Sequence, residues 1–282
     1  MTVSPTVRRR RLAAELRRLR ASAEVTQQQA AAHLGCTQAK IGRFETAKRS
    51  PSVGDVAALL EFYEVPCDQH EHLITLARDA RKRGWWHPYS DVLPEWYETY
   101  VGLESEASTI HTYESEAIPG LMQTEEYAFA LTKATLIRAE ESEIARRVEL
   151  RMQRQLRVAG SDPAELWAVV GEVALRRRVG GPGVLRRQLD HVLKLAELPH
   201  VTLQVMPLDG GAHPAQAGPF VILRYSDHAD PGVVYLETHV GGLYLEREIE
   251  LLNYKRMMDH LRAHALNPEG SAQLIHRRRG EL

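Results

Sequence analysis

Thr26-Gln27-Gln28-Gln29-Ala30-Ala31-Ala32-His33-Leu34-Gly35-Cys36-Thr37-Gln38-Ala39-Lys40-Ile41-Gly42-Arg43-Phe44-Glu45 is the stretch that decides the fold. The hydroxyl of Thr26 can accept from exposed backbone N–H groups, and Gln29, three residues on, completes a capping-box pattern. A helix therefore starts at Thr26, runs through Ala30 and Ala31 to Leu34, and stops at Gly35, a residue suited to a left-handed turn. Thr37 caps the next helix, with Ile41 and Phe44 as its buried pair. Two capped helices of similar length, joined by a short turn containing glycine, make a helix-turn-helix layout.

Working outward, Leu12, Leu16, Leu19 and Ala23 fall at helical spacing before this stretch. After it, Ser50-Pro51-Ser52 breaks the chain and caps a helix carrying Val56, Leu59, Leu60 and Tyr63. Pro66 breaks it again ahead of a helix with Leu73, Ile74, Leu76 and Ala77, which ends in Arg78, Arg81, Lys82 and Arg83. The spacing thus predicts an all-α, five-helix domain over residues 1–83. Gly84-Trp85-Trp86-His87-Pro88-Tyr89 marks a seam, its aromatics read as a hydrophobic staple.

Charge follows the same division. The whole chain of 282 residues has net charge −1, yet residues 1–83 hold 15 Lys+Arg against 9 Asp+Glu, and residues 84–282 hold 21 against 28. A balance of +6 beside −7 suits one nucleic-acid-facing module carried by a mildly acidic one. In a major groove, the second helix of the pair would present Gln38, Ala39, Lys40 and Arg43. Glutamine pairs with adenine, lysine or arginine with guanine, and alanine touches a thymine methyl. Gln27 and Thr37 at the two helix starts, and Lys48 and Arg49 in the following loop, suit phosphates.

Residues 11–63 resemble the xenobiotic-response-element type of helix-turn-helix, the lambda-repressor-like fold, in Thr26, Gln27, Ala31, Leu34, Gly35, Gln38, Ile41, Glu45 and Pro51. Three positions depart from that pattern. Ala30 stands where leucine is usual, Thr37 replaces serine, and Ala47 replaces the glycine expected after the recognition helix. The rest of the chain is similar to the actinobacterial WhiJ-like regulators. That likeness rests on Gly84-Trp85-Trp86, Tyr100-Val101-Gly102-Leu103-Glu104, Ile118 to Glu125, Gly211-Ala212-His213-Pro214 and Gly241-Gly242-Leu243-Tyr244. The resemblance implies a transcription factor of the cytoplasm, often encoded beside a small acidic BldB-like partner protein and sometimes described as antitoxin-like.

Beyond the seam, residues 95–137 read mostly helical with a break at Pro119-Gly120, and residues 140–158 as an amphipathic helix. Strands are expected at Leu166–Val170, Val201–Val205, Phe220–Tyr225 and Val233–Glu237, with helices at 183–197 and 247–265. Residues 84–282 are therefore expected to be an α+β domain with a small, mostly antiparallel sheet of about four strands covered by helices. The loop around His213, with Glu237, His239 and the seam's Trp86, is a candidate regulatory pocket.

Catalytic and metal signatures are missing from the sequence. His260 and His264 stand four apart with no nearby third ligand, and no H-E-x-x-H is present. Gly180-Gly181-Pro182-Gly183 lacks the lysine and hydroxyl of a phosphate loop. Cys36 and Cys67 are too few for a disulfide scaffold or a four-cysteine zinc site. No window approaches the roughly 18 apolar residues of a membrane helix. The expectation is a non-enzymatic, sequence-specific DNA-binding regulator without cofactor, metal or membrane attachment, binding an inverted-repeat operator in double-stranded DNA as a homodimer. Its second domain would bind a partner protein or, alternatively, sense a small molecule.

Overall fold

Side-chain caps set four of the five helix starts in the first third of the computed structural model, which describes residues 4–227 and 230–282. The helices there are α1 (Pro5–Ser22), α2 (Gln27–His33), α3 (Gln38–Glu45), α4 (Val53–Phe62) and α5 (Cys67–Asp79). Thr26 Oγ1 accepts from Gln29 N–H while the Gln29 side chain accepts from Thr26 N–H, the capping box expected from the sequence. Thr37 caps α3 in the simpler way, and Ser52 with Asp55 forms a second capping box on α4.

The other ends of α1 to α4 share one device. Each chain turns out of its helix through a left-handed residue: Glu24 (φ +56°), Gly35 (φ +60°), Ala47 (φ +56°) and Glu64 (φ +54°). After α1, α2 and α4 the next N–H reaches back five residues to a helix carbonyl, as Cys36 N–H does to Ala31 O at 2.9 Å. Only one of the four positions has glycine. Ala47 takes the positive angle that its glycine-preferring position called for. Leu12, Leu16, Ile41, Phe44, Val56, Leu59 and Leu60 form the core that these helices share, with Ala30 fully buried within it.

The chain divides into two compact units, Met1–His87 and Pro88–Leu282. Within the second, α6 (Glu95–Glu104) leads into β1 (Thr109–Glu114). Helices α7 (Glu125–Thr135), α8 (Glu141–Arg154) and α9 (Leu156–Ala159) connect it to β2 (Glu165–Gly171). Helices α10 (Glu172–Arg176) and α11 (Pro182–Ala196) connect β2 to β3 (Val201–Met206). The strands β4 (Phe220–Arg224), β5 (Val233–Thr238) and β6 (Gly241–Leu245) follow, then α12 (Glu248–His264) and α13 (Pro268–Gly280).

The sheet order is β3-β2-β1-β4-β5-β6. It is larger than expected and mixed: β1 pairs parallel with β2, and β2 with β3, whereas β1–β4, β4–β5 and β5–β6 are antiparallel. The expectation of a small, mostly antiparallel sheet fails because β1 lies inside residues 95–137, which read as helical. β1 is the central strand, and Ile110, Thr112 and Tyr113 are buried, so both its faces are covered and no polar alternation marks it. The parallel half follows from the crossovers, since helices carry the chain back between successive parallel strands. Against one face, α12 packs Met258 and Leu261 onto Tyr113, Val169, Phe220, Ile222 and Val234.

Candidate nucleic-acid interface

The outer face of α3 is set by what its inner face buries. Ile41, Phe44 and Glu45 are buried, leaving Gln38, Ala39 and Arg43 exposed together with the capping Thr37. Lys48 and Arg49 are exposed in the turn beyond, where Arg49 N–H donates to Arg43 O at 3.1 Å.

Glu45 is the acid of this basic segment, and it is turned inward. Arg20 Nε and Nη2 donate to its two carboxylate oxygens at 2.6 and 3.0 Å, and Arg20 Nη1 donates to Val25 O at 2.7 Å. The Glu45 hydrogen bonds hold the Arg20 guanidinium above its ordinary range, outweighing the opposite effect of burial. Gln27 Nε2 donates to Glu45 Oε2 at 2.8 Å. A carboxamide nitrogen has two donors, so the second Gln27 N–H remains for a phosphate oxygen at the start of α2. The cluster consumes the only negative charge between Gln38 and Arg49 and leaves Arg43, Lys48 and Arg49 as the exposed charges of that segment.

Lys40 is the residue whose placement differs most from a groove-reading role. Its Nζ lies 3.4 Å from Asp55 Oδ1 and 5.3 Å from the centroid of the Phe44 ring, and it is half-buried. Burial works against the Asp55 charge, but hydrogen bonds from Ser52 and the Lys40 ammonium outweigh it and hold that carboxyl below its usual range. No local pattern announces this pair, because the partner sits fifteen positions away in the capping box of another helix.

Of the candidate regulatory pocket, His213, Glu237 and His239 lie in the second unit and do not gather there. Trp86 is in the first unit, buried, with its ring lying where a side chain at Gly84 would stand: an added Cβ there would come within 2.4 Å of the ring. In the second unit, Tyr113 Oη and His213 Nε2 are 3.3 Å apart on the face packed by α12. Glu237 is on the opposite face, accepting from Tyr235 Oη at 3.1 Å. His239 is exposed on the rim of an open groove of about 750 Å³ lined by Leu93, Trp96, Leu136, Arg146 and Val240. Of the suspected histidine pair, His264 Nδ1 lies 2.7 Å from the backbone oxygen of His260, an ordinary helix-surface contact. No group of three or more His, Cys, Asp or Glu side chains among the described residues could hold a metal ion.

A network that sequence reading missed lies under α6. Arg154 Nε and Nη2 donate to Glu104 Oε1 and Oε2 at 2.6 and 2.8 Å, and Tyr100 Oη donates to Glu104 Oε2 at 2.6 Å. The Arg154 guanidinium also lies over the rings of Tyr97 and Tyr100. All its charge is internally matched, which makes it a structural tie.

Residues 97–277 match the family described as a domain of unknown function, DUF5753. The chain belongs to that family. Residues 11–73 of this DUF5753 protein match a helix-turn-helix domain, the segment that contains α2 and α3. No curated protein and no solved structure matches it. The helix-turn-helix domain is that of a DNA-binding regulator, and no helix among the described residues is long and apolar enough to cross a membrane.

Proposed function

We propose that the protein is a sequence-specific transcriptional regulator of the xenobiotic-response-element type, akin to the actinobacterial WhiJ-like group, acting in the cytoplasm. The observation that carries this reading is the exposed face of α3. It offers Gln38, Ala39 and Arg43 outward, while Glu45, the acid of the helix itself, is locked inside by Arg20 and Gln27. Those three side chains read base edges in the major groove; Gln27, Thr37, Lys48 and Arg49 hold phosphates. One short helix reads only a few base pairs, so the working form is a homodimer on an inverted repeat with half-site centres about 10 base pairs apart.

The second unit is a regulatory module without catalysis, and its preferred partner is a protein, such as a small acidic BldB-like one. Val240 lines the open groove and Ile137 follows its lining Leu136; at 93% and 91% exposed they are apolar surface that such a partner would cover.

The test is selection of binding sites from random duplex DNA by the full-length protein, followed by footprinting and sedimentation. An inverted repeat bound by two copies is expected, and Arg43→Ala should cost roughly 1–3 kcal/mol and relax the preference at one base position. A single asymmetric site bound by one copy, or an Arg43→Ala variant with unchanged preference, overturns the reading.

A further inference from the structure

The sheet has two edges, and the chain treats them differently. At β3 the outward backbone groups are taken up by the chain itself. Val201 N–H donates to Leu198 O at 3.0 Å, Val205 N–H donates to Ser271 Oγ at 2.9 Å, and Val205 O accepts from Leu266 N–H at 2.9 Å. The corner between α12 and α13 thus closes that side. At β6 the edge is open. The β5–β6 hairpin closes on Thr238 and Gly241 around His239 and Val240, and Leu236 and Val234 pair in turn with Leu243 and Leu245. Successive residues of an antiparallel ladder direct their backbone groups to opposite sides, so Gly242 and Tyr244 turn their N–H and C=O groups outward. Among the described residues those groups meet no other backbone.

Natural sheets guard such an edge with lysine, proline, a bulge or a covering element, because an unguarded one recruits another strand. Gly241-Gly242-Leu243-Tyr244-Leu245 has no charge and no proline, and its register against β5 runs without a bulge. The helix α6 meets this hairpin on one face of the sheet. There the Tyr235 ring stacks on Tyr100, and Tyr244 Oη donates to Trp96 O. Leu243 points to the other face, the one that α12 covers, since its ladder partner Leu236 packs into the α12 cluster. Leu243 is 53% exposed, and on the first turns of α12 Ile249 and Leu252 are 59% and 40% exposed. The open edge is therefore apolar on that side.

We infer that β6 is where a second copy of this chain docks, strand against strand about a two-fold axis, so that the two sheets continue as one. The inference rests on the homodimer proposed above and names its interface. The sequence of β6 suits its own copy. In the antiparallel register centred on Leu243, Gly242 of each copy exchanges its outward backbone hydrogen bonds with Tyr244 of the other. Tyr244 then stands opposite a glycine, as Leu245 does opposite Gly241, and no like charges meet along the strand. Leu243 meets Leu243 of the second copy at the axis, in the position without hydrogen bonds where facing side chains come closest. A strand from an unrelated protein would have to match this order of small and large residues, whereas a second copy matches it by symmetry.

Sedimentation equilibrium of the full-length protein, with amide exchange followed at Gly242 and Tyr244, tests it. A concentration-dependent dimer is expected, with both amides protected in the dimer and exchanging freely once dilution separates the copies. Leu243→Lys sets like charges against each other at the axis and should weaken self-association roughly 10-fold or more, as should Leu243→Glu. Mixed in equal amounts, the two variants should pair again. Both leave the β5 ladder intact, so their far-UV circular dichroism should match the parent's; should either fail to fold, exchange in the parent still decides. Three results overturn the inference while the dimer itself stands: free exchange of Gly242 and Tyr244 in the dimer, a dimer indifferent to Leu243→Lys, or two variants that do not rescue each other. A monomer at every concentration also overturns it, and removes the proposed homodimer as well only if one copy suffices on the selected DNA.

Discussion

Ala47 closes α3 at φ +56°, a conformation that costs an L-residue about 1–2 kcal/mol. Replacing it with glycine removes that cost but adds about 0.5–1 kcal/mol of backbone freedom to the unfolded chain. The balance is a stabilisation of about 0.5–1 kcal/mol. Gly35 provides the mirror experiment. It sits at φ +60°, and a Cβ added there meets nothing within 4 Å. Gly35→Ala therefore carries the backbone term with no steric clash, and should destabilise by the same amount. For a unit of this size each change moves the midpoint of thermal unfolding by about 2–8 °C, upward for Ala47→Gly and downward for Gly35→Ala. The assay is thermal unfolding of the full-length chain, with amide exchange on α1 to α4 to assign the shifted transition to the first unit. If both substitutions moved the midpoint in the same direction, or Gly35→Ala left it unchanged, the strain assigned to these helix ends would be wrong.

Lys40→Ala should disturb operator preference less than Arg43→Ala, because Asp55 already holds the Lys40 ammonium; equal loss of preference at one base in a binding-site selection would show that Lys40 leaves Asp55 on DNA. Glu104→Ala strands the Arg154 charge, whose side chain is 6% exposed, and should cost about 3–5 kcal/mol in urea unfolding, whereas the paired Arg154→Met, Glu104→Leu variant should recover most of it. Burial first, and then Glu237, push the Glu114 carboxyl up to about 8 from an ordinary 4.5. The folded chain therefore keeps a proton that the unfolded chain releases near 4.5, and this contribution to stability is lost as pH rises through 8. Glu114→Gln should accordingly melt higher than the parent at pH 8.5, with a smaller difference at pH 5, and a difference independent of pH would refute it.

Local chemistry made the first unit legible. Thr26 with Gln29, Thr37, Ser52 and Gly35 each act within four residues, so their reading needed no knowledge of the fold. β1 was lost for the opposite reason. Thr-Ile-His-Thr-Tyr-Glu is rich in strand formers, but β2 and β4 that take up its edges are distant in the chain, and its neighbours in sequence are helical. β6 opens on Gly241-Gly242, which reads as a turn. The helix α13 did carry a signal in Asn267-Pro268-Glu269, an N-cap followed by proline, and Asn267 accepts from Gly270 N–H as that pattern implies. The interface residues were visible as exposed polar positions on α3, but their internal partners were not. Nothing near Gln27 announces Glu45, and nothing near Lys40 announces Asp55.

The sheet order has a consequence for synthesis. β1 is made first yet sits in the middle, with one neighbour starting at Glu165 and the other ending at Arg224. At roughly 5–20 residues per second, a ribosome delivers β4 on the order of 10 s after β1. Through that interval the strand that will be the most enclosed has no sheet neighbour until β2 is made, and then only one. The helices of Met1–His87, whose contacts span short stretches of chain, have no such wait, and fold on a far shorter timescale than non-local strand pairing. A nascent chain thus carries a finished helix-turn-helix domain while the DUF5753 domain behind it is still an open half-sheet.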